Sequence, residues 1–162
     1  MAKVYILCGK ICCGKSYYAN KIKSEKNAVV LNIDELTYYL FDNRKGENYI
    51  ELTQRATNYF KNKAVEIVKV GINVILDIGL WTKEDRDKIR EFFDTQQIEN
   101  EIHYIHVSDE IWKKNIENRN ARIKLGNQGF DFFVTDTLKQ KVCDLWEEPE
   151  NEEFKFLYDV KY

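Results

Sequence analysis

Eight consecutive residues near the start of the chain have the types and spacing to hold phosphate. They are Gly9-Lys10-Ile11-Cys12-Cys13-Gly14-Lys15-Ser16, a full GxxxxGK[ST] pattern. The two glycines let the backbone wrap closely around phosphate oxygens. Successive N–H groups across Lys10, Ile11, Cys12 and Cys13 would form an anion-binding nest. Lys15 would reach the β- and γ-phosphates of a nucleotide, and the Ser16 hydroxyl would take a Mg2+ ion. Tyr17 closes the nucleotide-contacting stretch. The adjacent thiols of Cys12 and Cys13 either fill space in the loop or make it sensitive to oxidation.

Two acids stand just past, or at the end of, apolar runs. Asp34 follows Asn32-Ile33, eighteen residues after Ser16. It could accept the proton of an attacking hydroxyl, as the base in phosphoryl transfer does. It could equally cap a helix starting near Glu35. Asp77 closes the Walker-B-like run Val74-Ile75-Leu76-Asp77 and could hold Mg2+ directly or through water. Gly79 would then permit close backbone approach to a ligand. Arg119 and Arg122 are three apart and share a helix face. They could clamp a triphosphate and steady charge during transfer. The alternative is a solvated basic face with Lys113, Lys114 and Lys124. Arg86 is a weaker candidate for the same clamp, or else pairs with an Asp or Glu of its own helix. Phe130, Phe132 and Phe133 dock a lid segment or stack on a base. His103 and His106 should face opposite sides of a strand and suggest no metal or catalytic pair.

These residues need elements to position them. Apolar runs of strand formers cover Val4–Cys8, residues 28–33, Ile72–Leu76 and Ile102–Val107, with a last strand at Phe154–Tyr158. Helical patterns cover Lys15 to about Lys26, Glu35–Phe41 and Tyr49–Val70, the last with a stripe through Leu52, Ala56, Tyr59, Phe60, Lys63, Ile67 and Val68. Gly71 is placed to end that helix. Thr82 with Asp85 starts another helix. Ser108 or Asp109 caps the next, Gly126-Asn127-Gln128-Gly129 breaks it, and Thr135 caps the last. Strands alternating with helices imply a parallel sheet covered on both faces.

Composition narrows the classes. The 162 residues predict one domain, 1–162, and a single proline argues against a hinge. The 25 basic residues against 27 acidic ones give a net charge of −2, which excludes coating nucleic acid by charge alone. The four cysteines, Cys8, Cys12, Cys13 and Cys143, match no zinc spacing and read as reduced thiols. No apolar run approaches the ~20 residues of a membrane span. Val4–Cys8 is too short for a secretory core, so the expected location is cytoplasmic.

Together these pieces resemble the small P-loop kinases grouped around zeta-toxins, chloramphenicol phosphotransferase and the kinase domain of polynucleotide kinases. Chains of this kind are often described as AAA-family ATPases. The likeness covers the Gly9–Ser16 loop, Asp34, the Val74–Asp77 strand with Gly79, the Thr82–Arg86 helix start, Arg119 and Arg122. It extends to Leu145-Trp146-Glu147-Glu148-Pro149, similar to an aromatic-x-x-Pro segment late in these domains. The resemblance implies a three-layer α/β/α P-loop NTPase fold with about five parallel strands. It implies transfer of the γ-phosphoryl of ATP to a hydroxyl with Mg2+. Asp34 would be the base, Lys15 and Ser16 would hold nucleotide and metal, and Arg119 and Arg122 would serve a lid spanning about 113–133. The loop 42–48 and the helix from Tyr49 would shape the acceptor pocket.

One departure bears on the acceptor. Polynucleotide kinases place an arginine shortly after the base. Here Glu35, Leu36 and Thr37 follow, with no arginine until Arg44. A small-molecule or nucleotide kinase is therefore the leading expectation. A polynucleotide 5′-hydroxyl kinase, with a basic groove of Lys113, Lys114, Arg119 and Lys124, ranks below it. A nucleotide-dependent switch that binds a protein partner is the rival from another class. No NKxD motif reads guanine, so ATP is expected. No residue pattern names the acceptor or the oligomeric state.

Overall fold

The computed structural model describes residues 1–41, 49–127, 129–151 and 153–161. The elements run β1 (Val4–Cys8), α1 (Lys15–Glu25), β2 (Ala28–Asn32), α2 (Ile33–Phe41), α3 (Tyr49–Lys69), β3 (Asn73–Asp77), α4 (Lys83–Thr95), β4 (Asn100–His106), α5 (Asp109–Lys124), α6 (Asp136–Leu145) and β5 (Phe156–Asp159). The five strands form one sheet in the order β2-β3-β1-β4-β5, and every pairing is parallel. Parallel strands need both faces covered, so their sequences read as continuous apolar runs. β1 is the extreme case, with all five residues buried.

Alternation along β1 sorts the core into two layers. Val4, Ile6 and Cys8 face one side. There they meet Ala56, Phe60, Ala64 and Val65 of α3 and Ile89 and Phe93 of α4. Tyr5 and Leu7 face the other side, with Tyr18, Ala19 and Ile22 of α1, Trp112 and Ile116 of α5, and Val142 of α6. The result is the three-layer α/β/α sandwich. Among the described residues no helix is long and apolar enough to cross a membrane.

Several boundaries differ from the sequence pattern. The α3 stripe keeps Ala56, Phe60, Ile67 and Val68 but uses Ala64 and Val65, while Leu52 is half-buried outside the core cluster and Tyr59 is exposed. Lys63 pairs with Glu66 instead of interrupting a core face. Helix α2 begins at Ile33, and its cap is Asn32, whose side-chain oxygen accepts from the Glu35 N–H at 2.9 Å. Asp34 lies inside the first turn and is not the cap. Thr82, Ser108 and Thr135 do cap their helices. His103 and His106 fall on opposite faces. Buried His103 sits between Tyr18 and Glu101, and His106 meets Asp159.

Arg86 does not pair within its own helix. It is 1% exposed and donates to Glu153 Oε2 at 2.7 Å and to the Glu147 carbonyl at 2.8 Å. Burial works against the Glu153 charge, but the hydrogen bond and charge of Arg86, with the Glu150 N–H and Lys83, together outweigh it and hold that pKa below normal. This pair straps the segment after α6 onto α4, so β5 can reach the sheet edge beside β4. Removing one partner of a buried pair strands the other charge. Glu153→Ala should therefore cost about 3 kcal/mol and lower the melting temperature by about 10 °C in thermal denaturation. A change below about 2 °C would contradict this role.

Candidate active site

The strand order reverses at β1, which lies between β3 and β4. In open α/β sheets the ligand crevice lies beyond the carboxyl ends of the strands at such a point. Residues 9–14 connect β1 to α1 there. Gly14 takes φ +102°, a left-handed conformation suited to glycine, and no side chain caps α1. Its first-turn N–H groups are therefore left for an anion. Cys12 also has positive φ, at 57°.

The loop carbonyls are tied from outside. Lys15 Nζ donates to the carbonyls of Gly9 at 3.0 Å and Lys10 at 2.9 Å. Trp112 Nε1 donates to the Ile11 carbonyl at 2.7 Å, and Asn115 Nδ2 to the Cys12 carbonyl at 3.0 Å. With four successive carbonyls engaged in this way, the loop N–H groups other than that of Cys13, which donates to the Lys10 carbonyl at 3.4 Å, can serve the cradle. Trp112 and Asn115 escaped the sequence reading because their partners are more than a hundred residues away.

Gly9 is fixed by space. A Cβ there would lie 2.5 Å from Cys13 Sγ and 2.7 Å from the Ile105 carbonyl oxygen. The thiols fill space. All four cysteines are free. Burial pushes the Cys12 and Cys13 thiols above their normal pKa, and Cys8 up to about 12. High-pKa buried thiols are poor nucleophiles, so the oxidation-sensitive alternative has no support here.

At the end of β3, Asp77 is 5% exposed. Its Oδ2 accepts from Asn32 Nδ2 at 3.0 Å and from the Ser16 hydroxyl at 3.5 Å. Burial raises its pKa, with Lys15 and Ser16 opposing the shift. Burial alone would lower the Lys15 pKa, but the Coulombic effects of Cys13, Asp77 and Asp34 together outweigh it and raise it. Ser16 and Asp77 offer hard oxygen donors of the kind Mg2+ prefers. Among the described residues no group of three or more His, Cys, Asp or Glu side chains gathers to hold a metal. A cation at this pair would complete its shell with phosphate oxygens and water, which fits Mg2+.

On the far wall, Arg119 Nη2 lies 3.3 Å from Asp131 Oδ1, and Arg122 pairs with Asp131 Oδ2. The Arg119 guanidinium also sits 5.8 Å from the Phe132 ring. Asn120 bolts this segment to α5 through two bonds of 2.8 Å to the backbone of Val134. Phe130 meets Tyr38 of α2, and Phe133 lies under Lys124. The phenylalanines thus dock the segment after α5. Lys113 and Lys114 are exposed and outside the cleft, so they do not join Arg119 in one groove.

A single cleft of about 920 Å³ gathers Lys15, Ser16, Tyr17, Asp34, Asp77, Arg119 and Arg122. Ile11, Cys12 and Gly14 line it, while Gly9, Lys10 and Cys13, also expected to contact nucleotide, are not among its lining residues. Ile50, Thr53 and Gln54 of α3 and Trp81 form its other end. The expected acceptor loop, 42–48 with Arg44, lies outside the described residues.

This fold and cleft define a small P-loop kinase-like domain. The chain belongs to the AAA domain family, whose pattern matches residues 4–132. A search of curated proteins finds no match. Solved structures share the fold at low identity. A sugar kinase from Janibacter is 14% identical with a TM-score of 0.67, covering 98% of this chain and 86% of its own. The APS kinase of Mycobacterium tuberculosis, solved with AMPPNP and APS, is 14% identical with a TM-score of 0.65, covering 99% of this chain and 90% of its own. A chain of the Pnkp1/Rnl/Hen1 RNA repair complex is 21% identical with a TM-score of 0.68, covering 89% of this chain and 43% of its own.

Gly9→Ala tests the geometry of the loop. The added methyl cannot displace the Ile105 carbonyl, so the loop must move. ATP affinity should fall at least about tenfold, with a stability loss of roughly 1–3 kcal/mol. Wild-type affinity in a calorimetric titration would show that the close approach at Gly9 does not matter.

Proposed function

We propose that this chain is an ATP-dependent phosphotransferase that moves the γ-phosphoryl group to a hydroxyl of a small molecule or nucleotide. The observation that carries the reading is the convergence of phosphate loop, oxygen-donor pair, helix-borne acid and paired arginines on one cleft. The loop N–H groups and Lys15 bind the phosphates. Ser16 and Asp77 would hold Mg2+, which when bound supplies positive charge to the phosphate oxygens. The segment from about 113 to 133 acts as the lid. Arg119 and Arg122 exchange Asp131 for phosphate and steady the charge that builds during transfer.

Asp34 is the base. The helix-capping job that would explain an acid there belongs to Asn32. The acceptor O–H gives its proton to the Asp34 carboxylate as its oxygen bonds to the γ-phosphorus. The bond from that phosphorus to the β,γ-bridging oxygen breaks, and ADP leaves with the electron pair. The domain works as a single unit in a soluble compartment, for which the cytoplasm is our assignment.

The test is transfer of labelled phosphate from ATP to nucleosides, sugars, aminoglycosides and 5′-hydroxyl oligonucleotides. Wild-type protein should label at least one. Asp34→Asn should reduce that labelling by about 10²–10⁴-fold while ATP affinity stays within about twofold. Retained transfer removes Asp34 as base. Labelling of oligonucleotides alone favours the polynucleotide reading. Nucleotide binding with free phosphate as the sole product favours the switch.

A further inference from the structure

Asn32 is the last residue of β2 and is 9% exposed. A buried amide must satisfy its donors and acceptor, and this one does so with three different parts of the cleft. Its Oδ1 accepts from the Glu35 N–H and holds the first turn of α2, which carries Asp34. Its Nδ2 donates to Asp77 Oδ2 at 3.0 Å and approaches Ser16 Oγ at 3.5 Å. Asn32 and Asp77 are also register partners across β2 and β3, so their backbones are fixed opposite each other. The amide and hydroxyl donors both fall on Oδ2, which sets the carboxylate rotamer and leaves Oδ1 for a cation.

We propose that Asn32 is a positioning residue that aims the Asp77 carboxylate and the Ser16 hydroxyl at a shared divalent cation. The inference rests on the reading of Ser16 and Asp77 as the Mg2+ pair. The same side chain sets where α2 begins, so it also fixes the Asp34 position relative to that cation. Hydrogen-bond partners of metal ligands orient them, and their loss weakens metal binding by about 10–100-fold.

The cap and the positioning role separate by substitution. Serine caps helices as well as asparagine does, but it is too short to reach Asp77. Asn32→Ala loses both functions. The probe is Mn2+ added to the protein–ADP complex, with free Mn2+ read by electron paramagnetic resonance. ADP affinity without metal and melting temperature are measured in parallel. Both variants should weaken Mn2+ by about 10–100-fold, with metal-free ADP affinity within about twofold of wild type. Asn32→Ala, which also loses the cap, should lower the melting temperature more than Asn32→Ser, which loses only the buried bond to Asp77. Wild-type Mn2+ affinity in Asn32→Ser overturns this proposal and leaves the phosphotransfer reading standing. A wild-type ADP complex that takes up no Mn2+ overturns the metal pair and this proposal together.

Discussion

Four carbonyls in a row, from Gly9 to Cys12, are held by side chains of Lys15, Trp112 and Asn115. A peptide plane that commits its carbonyl in one direction commits its N–H in the opposite one. The direction of those planes is what turns a tight loop into an anion cradle. Two of the four anchors come from α5, so the loop depends on that helix being docked against β1 and α1. Buried Trp112 and Ile116 secure that docking. The arginines of the same helix, one and two turns further along, are thereby placed over the cradle. Loop geometry and the charge that faces it share one support.

A second constraint runs through the sheet. The register of β2 on β3 sets Asn32 opposite Asp77, and β3 on β1 sets Asp77 beside the start of α1. Strand pairing therefore fixes the oxygen donors before any ligand arrives. Asp77 is buried beside Lys15, and each stabilises the charged form of the other against the cost of burial. Such mutual dependence is characteristic of a site whose charges are meant to be completed by a ligand.

Much of this was legible in the sequence, for physical reasons. The phosphate loop is a local pattern in which each residue type serves a backbone need, so eight residues suffice to recognise it. The parallel sheet follows from apolar strands alternating with helices. Caps at Thr82 and Thr135, and the choice of Ser108 or Asp109 for α5, were legible because capping is decided within three residues. The misses are long-range. The Arg86 partner is sixty-seven residues away, across a segment whose path no local pattern predicts. The α3 stripe was misread at Tyr59 because helix phase depends on what the helix packs against. Asn32 was passed over in favour of Asp34, although both are good capping residues. The helix start at Ile33 and the Glu35 N–H bond to Asn32 Oδ1 decide between them.

The central claim is that this cleft holds ATP by its phosphates. Calorimetric titration of ATP with Mg2+ into wild-type protein and Lys15→Ala measures it most directly, with a melting curve to confirm that the variant is folded. The account predicts one ATP per chain for the wild type and an affinity at least about tenfold weaker for the variant, since charge-assisted contacts to phosphate are worth roughly 1.5–3 kcal/mol. Equal affinity in a folded variant, or no binding by the wild type, would contradict it.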